Sequence, residues 1–239
     1  MIGYADEDGP ALLRETARNC GDTWRILLLG IVDDIALVNW QEGQQFCALR
    51  FDGAGAYNLR VSAASLWHER VARRYPMAMA ALALPRAERA IRVVGLVTAT
   101  VRVGVTQGLS LVRCRADDIA LMEVEPDTLT PVSSGHELAI ARALVEQRRS
   151  FVRPLRFDAG RETVLPDFVL TDTGDPRGTP MEVFGRADEA YAARRAEKAR
   201  YYDEVFGQAH WWHWDAVASP GRWPAFPPAS TRTGGDDDV

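Results

Sequence analysis

The stretch of residues 165–198 constrains the fold of this chain more than any other, because two short apolar strands and a helix follow one another in it. The strands have the sequences LPDFVL and MEVFG, and the helix contains YAARRAEKARYY. Between the strands, residues 171–180 include two glycines and two prolines, which favour a turn over a continued element. The stretch therefore predicts a β-hairpin followed by a helix. If the side chains are in matching register, Asp167 and Glu182 project from the same face of the hairpin.

Lys198, on the helix that follows the hairpin, is the only lysine among the 28 basic residues of the chain. Helical spacing places it on one stripe with Tyr191, Tyr201 and Tyr202, and these large rings indicate the side that faces the sheet. A lysine in that position either extends its amine to water or directs it at an anion. Two carboxylates and one lysine that converge at the edge of a sheet form the layout of a metal-dependent phosphodiesterase site.

The two carboxylates also have plainer interpretations, which stay open at this point. Asp167 follows Pro166, and Pro-Asp pairs are common in ordinary turns. Glu182 begins an apolar strand, where an unpaired carboxylate costs free energy because it loses its water. An edge position with the side chain facing solvent would remove that cost.

Other polar residues near these elements are candidates for the same site. Glu137 lies on the inward side of its predicted helix and could be a third acid of a metal site. It also fits a capping box, in which it reaches back to the Ser134 amide. Arg194 and Arg195 are candidates for contacts with backbone phosphates, and Tyr191 for a contact with nucleic acid. A solvated helix face is the alternative for at least one of these arginines.

The charge, the apolar runs and the cysteines of the sequence each argue against particular classes of protein. The net charge of −5 argues against a surface that coats nucleic acid through charge alone, although residues 142–161 contain six arginines and two acids. The sequence has no apolar run long enough for a transmembrane helix, and its acidic beginning does not resemble a signal peptide. The three cysteines form no CxxC pair, which argues against structural zinc and a disulfide framework. We therefore expect a cytoplasmic protein with reduced thiols and no membrane contact.

A turn-rich segment with two prolines, residues 125–134, divides the chain into two predicted domains. Residues 1–132 are predicted to form an α+β domain with an antiparallel sheet and no recognisable catalytic cluster. Its predicted helices cover residues 11–19, 61–75 and 77–84, and its predicted strands cover residues 24–32, 36–40, 46–51, 91–105, 109–113 and 119–124.

Residues 133–217 are predicted to form a second domain with the element order α-β-β-β-α-β. Its predicted helices cover residues 136–148 and 187–206, and its predicted strands cover residues 151–157, 167–170, 182–184 and 210–215. Alternation in the tryptophan-rich last strand places Trp212 and Trp214 in the core. Residues 218–239 are rich in Pro, Gly and Asp, and they are predicted to form an extended or disordered tail.

The second domain resembles the PD-(D/E)XK nuclease superfamily through Pro166-Asp167 and Glu182-Val183-Phe184, in this order of helices and strands. Phe184 stands where the third motif usually has a lysine. Some lineages of that superfamily carry the lysine on the following helix, where Lys198 lies. Residues 134–215 also resemble a family of uncharacterised proteins from bacterial plasmids and integrative elements, with the pattern LPDFVL…MEVFG…Y…R…K…YY. The resemblance implies a restriction-endonuclease-like mixed-sheet fold.

The function implied is that of a Mg²⁺- or Mn²⁺-dependent DNA endonuclease, or of a nuclease-like DNA-processing protein of a mobile genetic element. Asp167 and Glu182 would ligate the cation through oxygen, and the resemblance suggests the backbone carbonyl of Val183 as a further ligand. Lys198 would position a water or neutralise the phosphate, and Glu137 would support the metal.

A catalytically inactive nuclease-fold protein, which binds nucleic acid or a protein partner, is the alternative. The phenylalanine in the third motif position and the acidic net charge favour it. A homodimer or a protein partner would bind through the N-terminal domain.

Overall fold

The computed structural model describes residues 2–4, 23–41, 44–52, 61–106, 109–156 and 163–230. The chain divides into two compact units, Met1–Pro131 and Val132–Val239, and the boundary lies one residue from the predicted division. The helix predicted over residues 11–19 lies outside the described residues. Among the helices in the described part of the chain, none is both long and apolar enough to span a bilayer.

The first unit is built from long strands that close on one another. Its elements are β1 (Ile2–Tyr4), β2 (Thr23–Gln41), β3 (Gln44–Phe51), β4 (Val61–Ala64), α1 (Ser65–Arg74), α2 (Pro76–Leu82), a short 3₁₀ helix (Arg86–Glu88), β5 (Arg92–Thr106) and β6 (Leu109–Val124). Pairings run from β2 through β3, β4, β6 and β5 and back to β2, so five strands form a closed ring. Within the ring β4 and β6 pair in parallel and the other pairs are antiparallel. The first unit is therefore a barrel-like sheet with a non-sequential strand order.

β2 is one bent strand, so the two strands and the turn predicted there were wrong. Its first half pairs with β5 and its second half with β3, and a register shift between Val32 and Asp34 marks a β-bulge. Arg50 on β3 lies 3.3 Å from Asp33 and 3.2 Å from Asp34, so both carboxylates have a cationic partner on the neighbouring strand. The two aspartates therefore lie at a bend of the strand and do not end it.

Two further predictions in this unit need correction. The strands predicted over residues 109–113 and 119–124 form the single strand β6, which has a register shift beside Asp117. There the Asp117 carboxylate accepts a hydrogen bond from the Thr100 hydroxyl of β5 (2.7 Å). The helix predicted over residues 61–75 begins only at Ser65, because residues 61–64 pair with β3 and β6 as β4.

The interior of the barrel is apolar. Gly95 on β5 lies opposite Gly30 on β2, and a Cβ added at Gly95 would lie 2.6 Å from Cγ2 of Val32, so glycine leaves the room that this side chain needs. Cys47 and Cys114 are buried cysteines, and burial raises the pKa values of their thiols to about 11 and about 12. Other fully buried members of this core are Leu49, Phe51, Val93, Val97, Ala99 and Val101.

The second unit has the predicted element order α-β-β-β-α-β and is a mixed α+β structure. Its elements are α3 (Gly135–Glu146), β7 (Phe151–Val152), β8 (Phe168–Leu170), β9 (Thr179–Phe184), α4 (Glu189–Val205) and β10 (Trp212–Asp215). The sheet order is β10-β9-β8-β7, in which β10 and β9 are parallel and the other neighbours antiparallel. All six residues of β9 are buried, as expected for an inner strand.

The predicted hairpin is confirmed, because β8 and β9 pair antiparallel across residues 171–178. Gly178 in this turn has a φ of +73°, and a Cβ there would lie 2.8 Å from the Leu170 carbonyl oxygen, so the turn requires glycine. β7 ends at Val152 and does not continue to the predicted residue 157. Pro154 lacks the amide that a longer ladder would need.

The tryptophans of β10 are core residues, as predicted: Trp212 and Trp214 are buried. The segment after β10 forms turns over residues 216–221, and the residues that follow pack against these rings. Trp223 lies edge-on to Trp214, with ring centroids 5.3 Å apart, and the Phe226 ring lies 5.3 Å from that of Trp212. Residues 231–239, the last part of the predicted tail, lie outside the described residues.

Candidate functional site

Glu182 lies in the middle of β9 and is 2% exposed. Its carboxylate faces α4. Both of its oxygens accept hydrogen bonds from the Lys198 ammonium at 2.9 Å, and Oε1 also accepts from the Tyr202 hydroxyl at 2.8 Å. The edge position facing water that would have made Glu182 an ordinary polar residue is therefore not observed. A buried carboxylate needs such partners. Without them, the loss of its hydration would cost on the order of several kcal/mol.

Lys198 reaches this carboxylate because the start of α4 and the helical spacing place its side chain on the face that packs on β9. Asp188 caps the helix, accepting a hydrogen bond from the Tyr191 amide at 3.1 Å. From this start, Lys198 and Tyr202 lie four residues apart and share the face that packs on β9. The ammonium also donates to the Leu165 carbonyl at 3.3 Å and remains about one third exposed, with 32% of its side chain accessible. The Lys198 side chain therefore contacts both the buried Glu182 carboxylate and solvent.

Asp167 directly precedes β8 and lies beside the same acid. Its amide donates to the Met181 carbonyl (3.0 Å), and its Oδ2 accepts from the amide of Val183 (2.8 Å). These two bonds fix Asp167 against the β9 residues on either side of Glu182. The negative charge of Asp167 is one of the causes that raise the pKa of Glu182, so the two carboxylates lie within electrostatic range of one another.

Glu137 serves as a helix cap and as an ion-pair partner. Its amide donates to the Ser134 hydroxyl (3.1 Å), and its Oε2 accepts from the amide of Ser133, where the capping box predicted Ser134. The same oxygen lies 2.8 Å from the Arg153 guanidinium. Arg153 also donates to the Asp167 carbonyl (3.0 Å) and lies 3.8 Å from its Oδ1. Glu137 is thus linked to Asp167 through Arg153.

Arg153 is the residue of this site that the sequence did not single out. It was only one of six arginines in a basic segment, and its partners are 14 and 16 residues away in sequence. The one local signal is Pro154, which ends the ladder of β7 and frees the preceding residue from the sheet. We use the term carboxylate–cation cluster for the five residues Glu137, Arg153, Asp167, Glu182 and Lys198.

The electrostatics of the cluster are set by burial and by like charges. Burial, followed by the charge of Asp167, raises the pKa of Glu182 to about 7, although Lys198 and Tyr202 act in the opposite direction. The pKa of Glu137 is raised for the same first two reasons, and Arg153 lowers it. Burial and the Glu182 carboxylate raise the pKa of Tyr202, which therefore stays a hydrogen-bond donor. Glu182 and Glu137 therefore hold their protons more tightly than free carboxyl groups do.

The residues predicted to bind nucleic acid lie on α4 in different settings. Arg194 is exposed. Arg195 is engaged within the unit: its guanidinium lies 2.5 Å from Oδ2 of Asp215 and 4.8 Å from the centre of the Phe184 ring. Tyr191 is half-buried and lies edge-on to Phe184, with centroids 6.5 Å apart. Arg194 is therefore the more available of the two arginines.

The donor set of the cluster suits a hard cation only in part. Carboxylate oxygens are among the ligands that Mg²⁺ prefers, and within the cluster Asp167 and Glu182 carry carboxylates that lie in electrostatic range of one another. In the described part of the chain, no three His, Cys, Asp or Glu side chains are grouped so that they could hold a metal ion together. A cation at this point would therefore rest on the two carboxylates and would take over at least one Glu182 oxygen from Lys198.

Taken together, the fold and site define an α+β protein whose second unit carries a buried carboxylate paired with a helix-borne lysine. The chain belongs to the DUF1173 family, described as proteins of unknown function, and the family model matches residues 34–217. This range contains the whole carboxylate–cation cluster. No curated protein matches the chain.

Proposed function

We propose that the second unit is a metal-dependent phosphodiesterase site that acts on DNA, on a restriction-endonuclease-like arrangement of the α-β-β-β-α-β elements. The observation that carries the proposal is the Lys198 ammonium, held 2.9 Å from both oxygens of the buried Glu182. A lysine from the following helix meets the carboxylate of the strand there, with Asp167 beside it. Buried ionisable groups with shifted pKa values occur preferentially at functional sites.

Asp167, Glu182 and the Val183 carbonyl would hold Mg²⁺ or Mn²⁺, which when bound would supply Lewis-acid activation of water and stabilise charge on the phosphate. The mutual repulsion of the two carboxylates supports this assignment, because a cation between them removes the like-charge cost that raises the pKa of Glu182. Arg153 keeps Glu137 and the Asp167 backbone in place through its bonds of 2.8 and 3.0 Å.

Lys198 would act on the phosphate. Its side chain is one third exposed, so the ammonium can turn from Glu182 towards an oxygen of a bound strand without leaving its helix position. Arg194, exposed on the same helix, would contact a neighbouring phosphate, and Tyr191 would lie beside the strand.

A second candidate function has a specific observation in its favour. Each of the three acids already has a cation or backbone amide as partner, and such a network can be purely structural. With phenylalanine at position 184 in place of the usual lysine, the unit would then be an inactive nuclease fold that binds nucleic acid or a protein partner.

Plasmid nicking in Mg²⁺ or Mn²⁺ separates the two candidates. We expect the wild-type protein to relax supercoiled plasmid, and Asp167→Asn and Lys198→Ala to lose at least about 100-fold in rate. The matched controls Glu197→Gln and Arg200→Ala change exposed residues of α4 and should cut like the wild type. No cutting by pure wild-type protein, or equal cutting by Asp167→Asn, would contradict the phosphodiesterase proposal.

A further inference from the structure

A cleft of about 280 Å³ lies in the second unit beside α4 and β10. It is larger than a bound water requires and lies near the lower end of small-ligand pockets. The carboxylate–cation cluster does not line it. Its walls include Phe184, Arg195, Asp203, Gln208, Trp211 and His213.

Trp211 and His213 line the cleft and belong to a stack of three rings that also includes Tyr202. Tyr202 and Trp211 are stacked at 5.1 Å with an interplanar angle of 28°, and Trp211 and His213 are stacked at 4.6 Å and 26°. The Trp211 Nε1 donates to Oδ1 of Asp203 at 2.8 Å, which fixes the orientation of the indole. His213 is exposed while Trp211 is buried, so the stack ends in a ring that is open to solvent. The Phe184 ring is tilted against His213, with centroids 5.9 Å apart, so a further planar ring would stack on the solvent-facing part of the imidazole.

Polar groups border the aromatic wall. Arg195 lies over the Phe184 ring at 4.8 Å and adds a positive charge, and the exposed Gln208 offers an amide that can both donate and accept. Burial and the charge of Arg195 lower the pKa of His213, which favours a neutral imidazole at neutral pH. The Arg195 charge is paired with Asp215, so the cleft suits a planar heterocycle with hydrogen-bonding edges rather than an anionic group.

The cleft lies on the same side of β9 as the candidate site. Glu182 and Phe184 are two residues apart on this strand, so their side chains point to one face, about 7 Å apart along the chain. α4 reaches both places, with Lys198 at Glu182 and Arg195 at Phe184. A nucleotide strand whose phosphate lies at Lys198 would therefore bring a neighbouring base to the cleft.

We propose that this cleft binds an unstacked nucleobase of single-stranded nucleic acid, through stacking on His213 and hydrogen bonds to Gln208. The proposal rests on the proposed function and names its substrate class. Bases of an intact duplex stay stacked within the helix and cannot enter such a cleft without being extruded. The cleft therefore takes a base only where strands are unpaired, as negative supercoiling favours in plasmid DNA.

Fluorescence anisotropy with a short, labelled oligothymidylate tests the proposal, in EDTA so that no cleavage occurs. We expect His213→Ala to weaken binding by about 5- to 100-fold, the effect of losing one base-stacking ring. His213→Phe keeps a ring for stacking and should restore the affinity. His210→Ala removes another exposed histidine three residues earlier and serves as the control. Thermal melts of each variant establish that it is folded.

Unchanged binding by folded His213→Ala, or equal weakening for oligothymidylate and for duplex of the same length, would overturn the proposal. Thymidine monophosphate that competes as well as the oligonucleotide would also overturn it, because the site would then bind a free nucleotide. If the plasmid is cleaved but strand binding does not depend on His213, the cleft proposal is wrong and the phosphodiesterase proposal stands. If strand binding depends on His213 but no variant cleaves the plasmid, the phosphodiesterase proposal is wrong and the cleft proposal stands.

Discussion

Two carboxylates, one in each unit, are equally buried and yet held in different ways. Glu125 follows β6 in the first unit and Glu182 lies in β9 of the second, and each is 2% exposed. Oε2 of Glu125 accepts from the amides of Asp127 and Thr128 at 3.0 and 2.8 Å and from the Thr128 hydroxyl at 2.8 Å. These donors come from the next turn of the chain, whereas Lys198 and Tyr202 come to Glu182 from another element.

The difference separates a structural carboxylate from a candidate functional one. Backbone amides of a turn cannot leave their acceptor without unfolding the turn, so Glu125 keeps its partners as long as the fold persists. The Lys198 side chain is one third exposed and comes from another element, so it could yield Glu182 to a metal ion, or turn towards a phosphate, without a change of fold. Burial alone therefore does not distinguish the two carboxylates, whereas the kind of partner does.

Removal of Lys198 should have the largest effect on stability. At about pH 8, Lys198→Ala leaves Glu182 buried without its cation, and the acid then takes up a proton, which limits the cost. Together with the lost hydrogen bonds and packing of the partly exposed lysine, we expect a loss of about 2–3 kcal/mol in the free energy of unfolding. Urea denaturation measures this, with Arg200→Ala as the exposed control. A loss of under about 1 kcal/mol would mean that water replaces the ammonium.

The pH dependence of stability should follow from Glu182. Its folded pKa of about 7 lies above the ordinary value of 4.5, so the folded state binds the proton more tightly. The resulting stabilisation is fully present below the ordinary value and is lost as the pH rises through about 7. We expect wild type to lose about 2–3 kcal/mol relative to Glu182→Gln between these limits. Parallel curves for both proteins, from urea melts across this range, would contradict a raised pKa.

Glu125→Gln should have the smallest effect and none on activity. The amide oxygen of glutamine can still accept from the turn, so we expect a loss of about 1–2 kcal/mol from the missing charge-assisted bonds. Urea melts and plasmid nicking measure the two properties on the same sample. A nicking defect in a folded Glu125→Gln protein would show that the contrast between the two carboxylates is false.

Local patterns predicted the elements that are fixed by nearby residues. The hairpin depends on Gly174 and Gly178, which both have positive φ, and the tryptophan strand on simple alternation. The order of elements in the second unit followed from these signals. Helical spacing relative to the tyrosines predicted that Lys198 faces the sheet, and Lys198 lies on the face of α4 that packs on β9.

Features that depend on distant partners were not visible in the sequence. The sequence predicts a turn at Asp33 and Asp34, because nothing near them in the chain shows that their partner Arg50 lies on another strand. The closure of the barrel through β4 and β6 is a parallel pairing between segments far apart in the chain. Arg153 could not be told from the other arginines near it, since its partners are Glu137 and Asp167.

Binding of Mn²⁺ tests the central claim most directly, because it measures the cation site without requiring a substrate. Titration followed by the electron paramagnetic resonance signal of free Mn²⁺ should show binding to wild type and to Glu125→Gln, and at least about tenfold weaker binding to Glu182→Gln and Asp167→Asn. Equal binding by all four proteins, or no binding by folded wild type, would contradict the assignment of Asp167 and Glu182 as the metal site.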